Sequence, residues 1–162
     1  MSVFSIREAG PEDCGLILQF IRSLAEYEKM LDGVTATESL LREWLFEKQA
    51  ARVIFACKDG REVGFALYYF KYSTFVGRGS LHLEDLFVYP EYRGKGYGKS
   101  LLQELARIAR LENCGRMDWT CLDWNEPSIR FYRSLGAKPM DAWTIYRLTD
   151  EGIDALAAAT GS

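Results

Sequence analysis

The stretch from Leu81 to Leu102, L-H-L-E-D-L-F-V-Y-P-E-Y-R-G-K-G-Y-G-K-S-L-L, decides how the rest of the chain is read. Leu81, Leu83, Leu86 and Val88 are apolar, and Phe87 and Tyr89 add β-favouring bulk, so its first part reads as a strand. Pro90 has no N–H to give to a sheet ladder and closes that strand. Gly94, Gly96 and Gly98 then alternate with Lys95, Tyr97 and Lys99. Beyond Gly98, Leu101, Leu102, Leu105, Ile108 and Ala109 recur at helical spacing. A glycine-rich loop feeding a helix leaves backbone N–H groups bare at the positive end of the helix dipole, which is a seat for phosphate. Arg93, Lys95 and Lys99 reinforce the sign. The stretch points to an anionic ligand that carries a pyrophosphate.

Spacing separates three loops that could hold one. Gly98-Lys99-Ser100 matches the end of a Walker A loop, but its opening glycine would fall on Arg93, which also argues against a nucleotide hydrolase. The dinucleotide fingerprint G-x-G-x-x-G, started at Gly94, requires glycine where Lys99 stands. Arg93-x-x-Gly96-x-Gly98 does fit the R-x-x-G-x-G/A loop of acetyl-coenzyme A-dependent enzymes. With a strand before this loop and a helix after it, the chain resembles the GNAT superfamily of N-acetyltransferases.

Working outward, Val3 to Arg7 alternates as a short strand, and Pro11 sits near a helix start. Leu16, Ile17, Phe20, Ile21 and Leu24 predict a helix to about Lys29. Thr35 or Thr37 caps a second helix through Leu45, and Thr35 with Glu38 has capping-box spacing. Arg52 to Lys58 and Glu62 to Tyr72 read as strands joined by the hairpin signal Asp59-Gly60. After the opening strand (Ser80 to Tyr89) and its helix (Tyr97 to Leu111), Arg116 to Leu122 is a further strand. A short helix opens at Asn125-Glu126-Pro127 and ends at Gly136; Trp143 to Leu148 reads as a last strand and Asp150 to Ala159 as a terminal helix. Thr160-Gly161-Ser162 is expected to fray. An early hairpin and a late βαβ crossover predict a mixed sheet, antiparallel on one side and parallel on the other. The element order is that of the superfamily, so the resemblance implies an α/β fold: one domain over residues 1–162, with a central sheet splayed at the cofactor strand and flanked by helices.

Composition narrows the surroundings. A chain of 162 residues suits one domain with a sizeable core. Its formal net charge of -3 argues weakly against nucleic acid as a partner. The four cysteines, Cys14, Cys57, Cys114 and Cys121, form no C-x-x-C pair, and His82 is the single histidine, so no metal site is expected. Cys57 and Cys121 fall inside apparent strands and read as buried small hydrophobes. No signal-type segment and no apolar run of about 20 residues is present, so no membrane partner is expected and the default is a reduced, cytoplasmic protein.

A closer resemblance lies in Leu24-Ala25-Glu26-Tyr27-Glu28-Lys29, Gly64-Phe65-Ala66-Leu67-Tyr68-Tyr69-Phe70, Leu83-Glu84-Asp85-Leu86-Phe87-Val88, and the block from Asp123 to Tyr132 with its Trp124-Asn125 pair. These are similar to the diamine acetyltransferase branch, which includes spermidine/spermine and thialysine N-acetyltransferases. The loop Tyr72 to Arg78 departs from the polyamine enzymes, with Ser73 where they carry aspartate and Phe75 where they carry tryptophan. It is nearer the thialysine type and tilts the acceptor towards a lysine-like or small diamine.

The chemistry names the residues. An alkylamine, with a pKa of about 10, arrives protonated and must lose a proton before it attacks; the leaving thiolate must gain one. The resemblance puts Tyr132 in the place of that acid and implicates Glu84 as base acting through water, with Asp85 in support. Consecutive strand residues face opposite ways, so Glu84 and Asp85 can share a face only if a bulge intervenes, as is usual in the superfamily. The competing reading pairs one of them with an arginine such as Arg78. His82 reads either as a near-neutral titrating group or as a satisfied core histidine. Phe87, Val88, Arg93, Gly94, Lys95, Gly96, Tyr97, Gly98, Lys99 and Ser100 should contact acetyl-coenzyme A, chiefly by main chain, with side-chain identity mattering most at the three glycines. Asn125 is a further cofactor contact or simply a helix N-cap. Tyr27 and Glu28 resemble acceptor-side residues of the branch, completing a substrate set with Glu84 and Asp85; Glu26 and Glu28 otherwise read as a solvated helix face. The expected activity is acetyl transfer from acetyl-coenzyme A to a primary amine in a ternary complex. The alternatives are a non-catalytic acetyl-coenzyme A-binding module and a peptide or protein N-acetyltransferase. The resemblance also implies a homodimer, for which Trp143 and the apolar last strand offer a surface.

Overall fold

In the computed structural model, which describes residues 1–159 and 161, one sheet is built from β1 (Phe4–Glu8), β2 (Arg52–Lys58), β3 (Arg61–Ser73), β4 (Arg78–Val88) and β5 (Arg116–Trp119), in that spatial order. The fraying expected at Thr160 and Ser162 lies outside the described residues. β1 to β4 pair antiparallel, and β4 pairs with β5 in parallel, as a hairpin followed by a helical crossover requires. Asp59 and Gly60, at φ 51° and 78°, make the two-residue turn of the β2–β3 hairpin.

The residues Met1–Thr120 form one compact unit and Cys121–Ser162 another. In the first, α1 (Cys14–Tyr27) and α2 (Glu38–Leu41), which runs on into a π-helical turn at Arg42–Glu47, pack on one face of the sheet. Ile17, Leu18, Phe20, Leu41 and Leu45 meet Val53, Phe55, Cys57, Phe65, Leu67 and Phe87 there. Phe20 is the hub: its ring lies 5.0 Å from Phe65 and 4.8 Å from Tyr89. α3 (Tyr97–Leu111) packs on the other face through Leu101, Leu102, Leu105 and Ala109. With both faces covered, β2 and β3 carry continuous buried runs rather than a clean alternation. Arg7 ties β1 to the rest, pairing with Asp13 at 2.9 Å and Glu62 at 2.8 Å. The second unit holds α4 (Glu126–Ser134) and α5 (Asp150–Ala158).

Three local expectations are revised, and one choice between alternatives is resolved. The residues from Trp143 to Leu148 form no strand: β-favouring side chains do not make one without a partner, and Trp143, Ile145, Tyr146 and Leu148 stand exposed. β5 stops at Trp119, so Cys121 is outside any strand. Thr37, not Thr35, caps α2, accepting the Leu40 N–H at 3.2 Å. α1 ends at Tyr27, and Lys29 takes a left-handed φ of 60°.

Candidate active site

The junction from β4 to α3 is one half of the site. Gly94 and Gly96 have φ of 74° and 87°, the left-handed region, and a Cβ at either would meet nothing within 4 Å. Gly96 is the N-cap of α3, offers no side chain to cap it, and no acidic residue stands in the first turn. The first N–H groups of a helix have no intrahelical partner, so this end is an open, positive cradle. Gly98 differs from the other two: its backbone is helical, and a Cβ would only touch Val88 at 3.9 Å. Side-chain identity is therefore demanding at two of the three glycines. Around the loop, Lys95 donates to the Glu91 carbonyl at 3.3 Å, Tyr97 stacks on Phe4 at 5.4 Å, and the Ser100 hydroxyl turns back to the Gly96 carbonyl at 3.0 Å. Lys99 is exposed. Arg93 acts inward. Its Nε donates to the Val88 carbonyl at 2.8 Å, and its guanidinium lies over the rings of Tyr27 and Phe87 at 4.8 and 5.0 Å. This side chain pins the loop to the end of β4 and to the end of α1.

The acidic half depends on a register shift. Tyr68 pairs with Leu83 and Leu67 with Asp85, so Glu84 is the extra residue of a β-bulge. Cross-strand partners share a face. Asp85 opposite Leu67, and His82 opposite Tyr69, therefore face the α1 side of the sheet, as Phe87 does opposite Phe65. The His82 Nε2 stands 3.5 Å from Glu84 Oε2, which brings Glu84 to that side as well. The bulge thus sets adjacent carboxylates on one face, which a regular strand forbids. β5 pairs with β4 only from Ser80 to Leu83, so the bulged end of β4 has no strand on that edge among the described residues.

Glu28, just past the end of α1, completes the cluster: its charge acts on Asp85. The Asp85 carboxyl is pushed up to about 7, first by burial, then by the charges of Glu84 and Glu28. Burial also raises Glu28 above the usual carboxylate range. Glu84 is more open, its side chain 55% exposed. Arg78, which the competing reading pairs with one of the two, instead donates to Asn113 Oδ1 at 3.1 Å. The desolvation has a measurable sign. Below about pH 4, Asp85 is protonated in folded and unfolded chains alike. Between that value and about 7, only the unfolded chain releases the proton, so stability falls as pH rises. Asp85→Asn should therefore stabilise the protein at pH 8, by up to about 4 kcal/mol, and leave it unchanged near pH 4. Thermal melts at the two pH values check this; an equal shift at both would show that the carboxyl is well solvated.

One cluster has no counterpart among the sequence expectations. His82 Nδ1 lies 2.6 Å from Asp118 Oδ1, and Lys71 Nζ lies 2.9 Å from the same oxygen. Asp118 is the polar member of an otherwise apolar run in β5, Met117 to Trp119, and that was its only signal in the sequence. In the second unit, Asn125 is buried and caps α4, accepting the Ser128 N–H at 3.4 Å. Tyr132 lies within α4, half-buried, its ring 5.6 Å from that of Phe131.

A family model described as Acetyltransferase (GNAT) family matches residues 18–137. The chain belongs to this family. It is 38% identical to the thialysine N-epsilon-acetyltransferase of Bos taurus, over 97% of this chain and 99% of that one. It is 35% identical to a Homo sapiens spermidine/spermine N(1)-acetyltransferase-like protein, over 93% of this chain and 23% of that one. Among solved structures, an integron cassette protein from V. cholerae superposes with a TM-score of 0.79 at 31% identity, covering 96% of this chain and 98% of that one. The likeness to the diamine branch, first carried by the loop, the L-E-D block and the W-N block, holds across nearly the full length, and this GNAT protein is an N-acetyltransferase. Among its described residues, no helix is long and apolar enough to cross a membrane.

Proposed function

We propose that this N-acetyltransferase moves the acetyl group of acetyl-coenzyme A to a primary amine of a small diamine or lysine-like acceptor, by direct attack in a ternary complex. The observation that carries the acceptor half is the bulge at Glu84, which sets Glu84 and Asp85 on one face, with the charge of Glu28 acting on Asp85. Three carboxylates in one partly desolvated place suit a ligand with ammonium groups. The donor half fits a pyrophosphate. Gly94 and Gly96 leave open space where other residues would project a side chain, and α3 begins uncapped with Lys95 and Lys99 beside it. Backbone N–H groups from Gly94 to Lys99 would hold the diphosphate, and main-chain groups of Phe87 and Val88, with Asn125, the amides of the pantetheine arm. Acetyl-coenzyme A supplies an activated thioester when bound.

The roles of the chain follow. Asp85 and Glu28 take the charge of the incoming ammonium. Glu84, open to solvent, removes the proton of the attacking nitrogen through water. Tyr132 holds a phenolic proton for the sulfur that leaves. Relatives named for thialysine support a lysine-like acceptor, and so does the loop after β3: Ser73, where polyamine enzymes carry an acid, accepts the Val76 N–H at 3.4 Å within its own turn. We further propose that residues 1–162 act as one catalytic domain, which the family match across 18–137 supports, and that the protein works without a metal, in the cytoplasm, as a homodimer. Exposed Trp143, Ile145 and Leu148 are the surface suited to a second copy, and light scattering at micromolar concentration tests this.

An acceptor panel tests the function: thialysine, lysine, ornithine, putrescine, spermidine and a lysine peptide, each with acetyl-coenzyme A and thiol detection. Thialysine or lysine should turn over faster than spermidine. A preference for the peptide would replace the small-amine reading, and no turnover across the panel would favour the binding module.

A further inference from the structure

His82 is linked to the candidate base on one side and to a fixed carboxylate on the other. Burial works against the charge of Asp118, but the hydrogen bonds from His82 and Lys71 outweigh it and hold that carboxyl below its usual range. Asp118 is therefore ionised and can only accept. The proton in the 2.6 Å contact must then sit on Nδ1 of His82. In the neutral ring this leaves the lone pair on Nε2, the nitrogen that faces Glu84 Oε2 at 3.5 Å, near enough for a proton on that carboxyl to reach it directly after a small side-chain adjustment. Tyr69, its cross-strand partner, lies against the ring at 5.0 Å, tilted by 44°. Its side chain is 13% exposed, enough to return a proton to solvent. A histidine that only filled a core position would need neither the tautomer lock nor the opening towards Glu84.

We propose that His82 is the terminal proton acceptor of the acetyl transfer, taking the proton that Glu84 removes from the acceptor ammonium, with Asp118 and Lys71 as positioning residues. In this step an N–H bond of the ammonium breaks and its electron pair stays on nitrogen as the nucleophile. The proton passes through water to Glu84 and from Glu84 Oε2 directly to Nε2, and Asp118 and Lys71 keep their protonation states. The resulting imidazolium lies between the carboxylates of Asp118 and Glu84. The chemical reason for such a relay is the acceptor itself: an amine with a pKa of about 10 delivers one proton per turnover, and an imidazole is by its chemistry a stronger base for that proton than a carboxylate.

The proposal rests on the acetyl-transfer reading, and the test separates the two. The full chain is assayed with acetyl-coenzyme A and whichever panel amine turns over fastest. If the wild-type chain acetylates no amine, the function reading fails, and the relay with it. If it does, His82→Gln should lower kcat by about 10²-fold and leave the KM for acetyl-coenzyme A unchanged. The groups facing His82 are Glu84, Asp118, Lys71 and the Tyr69 phenol, with Asp85 on the same face of the strand. Variants of the two positioning residues then give opposite shifts. Asp118→Asn removes the anion that favours imidazolium, so the acid limb of the kcat profile moves to lower pH. Lys71→Met removes the cation that competes for Asp118, so the limb moves to higher pH. A limb set by Asp85 would respond to neither, because the charges acting on Asp85 are those of Glu84 and Glu28. Lys71 is 45% exposed, so this variant remains informative if His82→Gln fails to fold. Wild-type kcat in a folded His82→Gln, or limbs that stay in place in both charge variants, would overturn the relay.

Discussion

Gly96→Glu should abolish acetyl-coenzyme A binding while the chain stays folded. Gly96 has φ of 87° at the N-cap of α3, and a Cβ there meets nothing within 4 Å, so the substitution enters open space. Left-handed backbone costs a non-glycine residue about 1–2 kcal/mol, which lowers the melting temperature without unfolding a domain of this size. The larger effect is electrostatic. A carboxylate placed about 4 Å from a phosphate charge is repelled by about 4 kcal/mol near a protein surface, roughly a 10³-fold loss of affinity. Gly96→Ala carries the same backbone strain without the charge, so the difference between the two variants isolates the repulsion. Calorimetric titration with coenzyme A reads it. A dissociation constant for Gly96→Glu close to the wild-type value would remove this loop from the donor site.

Tyr132→Phe should cut amine acetylation by about 10² to 10⁴-fold and leave the affinity for acetyl-coenzyme A nearly intact. The substitution deletes one oxygen and keeps the ring, so the packing of α4, including the contact with Phe131 at 5.6 Å, persists. A residue that only packs would tolerate it. Departure of the thiolate without a proton donor makes the breakdown of the tetrahedral adduct slow, so the loss should appear in kcat rather than in either KM. Unchanged turnover would reassign Tyr132 to packing and leave the leaving group to be protonated by solvent.

Both predictions concern residues that were legible as motif, and the reason is that their roles are local. A loop of alternating glycines before a 3.6-residue period specifies its own geometry, and α3 runs from Tyr97 to Leu111 as the pattern predicts. Asn125 likewise caps its helix from within one turn of sequence. Gly98 is the exception: its spacing matched the motif, yet its backbone is ordinary helix, since positive φ is a property of the turn and not of the residue type. The stretch Trp143 to Leu148 failed for a related reason. Alternating β-favouring residues describe a strand that finds a partner, and in the single chain none of these residues pairs.

The sequence alone thus determined the order of elements, the phosphate-type loop, and the residue types available for acid and base, because each is encoded within a few turns of chain. Only the tertiary structure decided how those carboxylates behave. The bulge at Glu84 exists as a mismatch of register between β3 and β4, fifteen or so residues apart along the chain, and no local pattern encodes it. The raised carboxyl of Asp85 comes from burial among Glu84 and Glu28, and the fixed tautomer of His82 from Asp118 on a strand that the crossover lays alongside. Electrostatic environment is a sum over neighbours in space, so it is settled only when the sheet has closed and the helices have covered it.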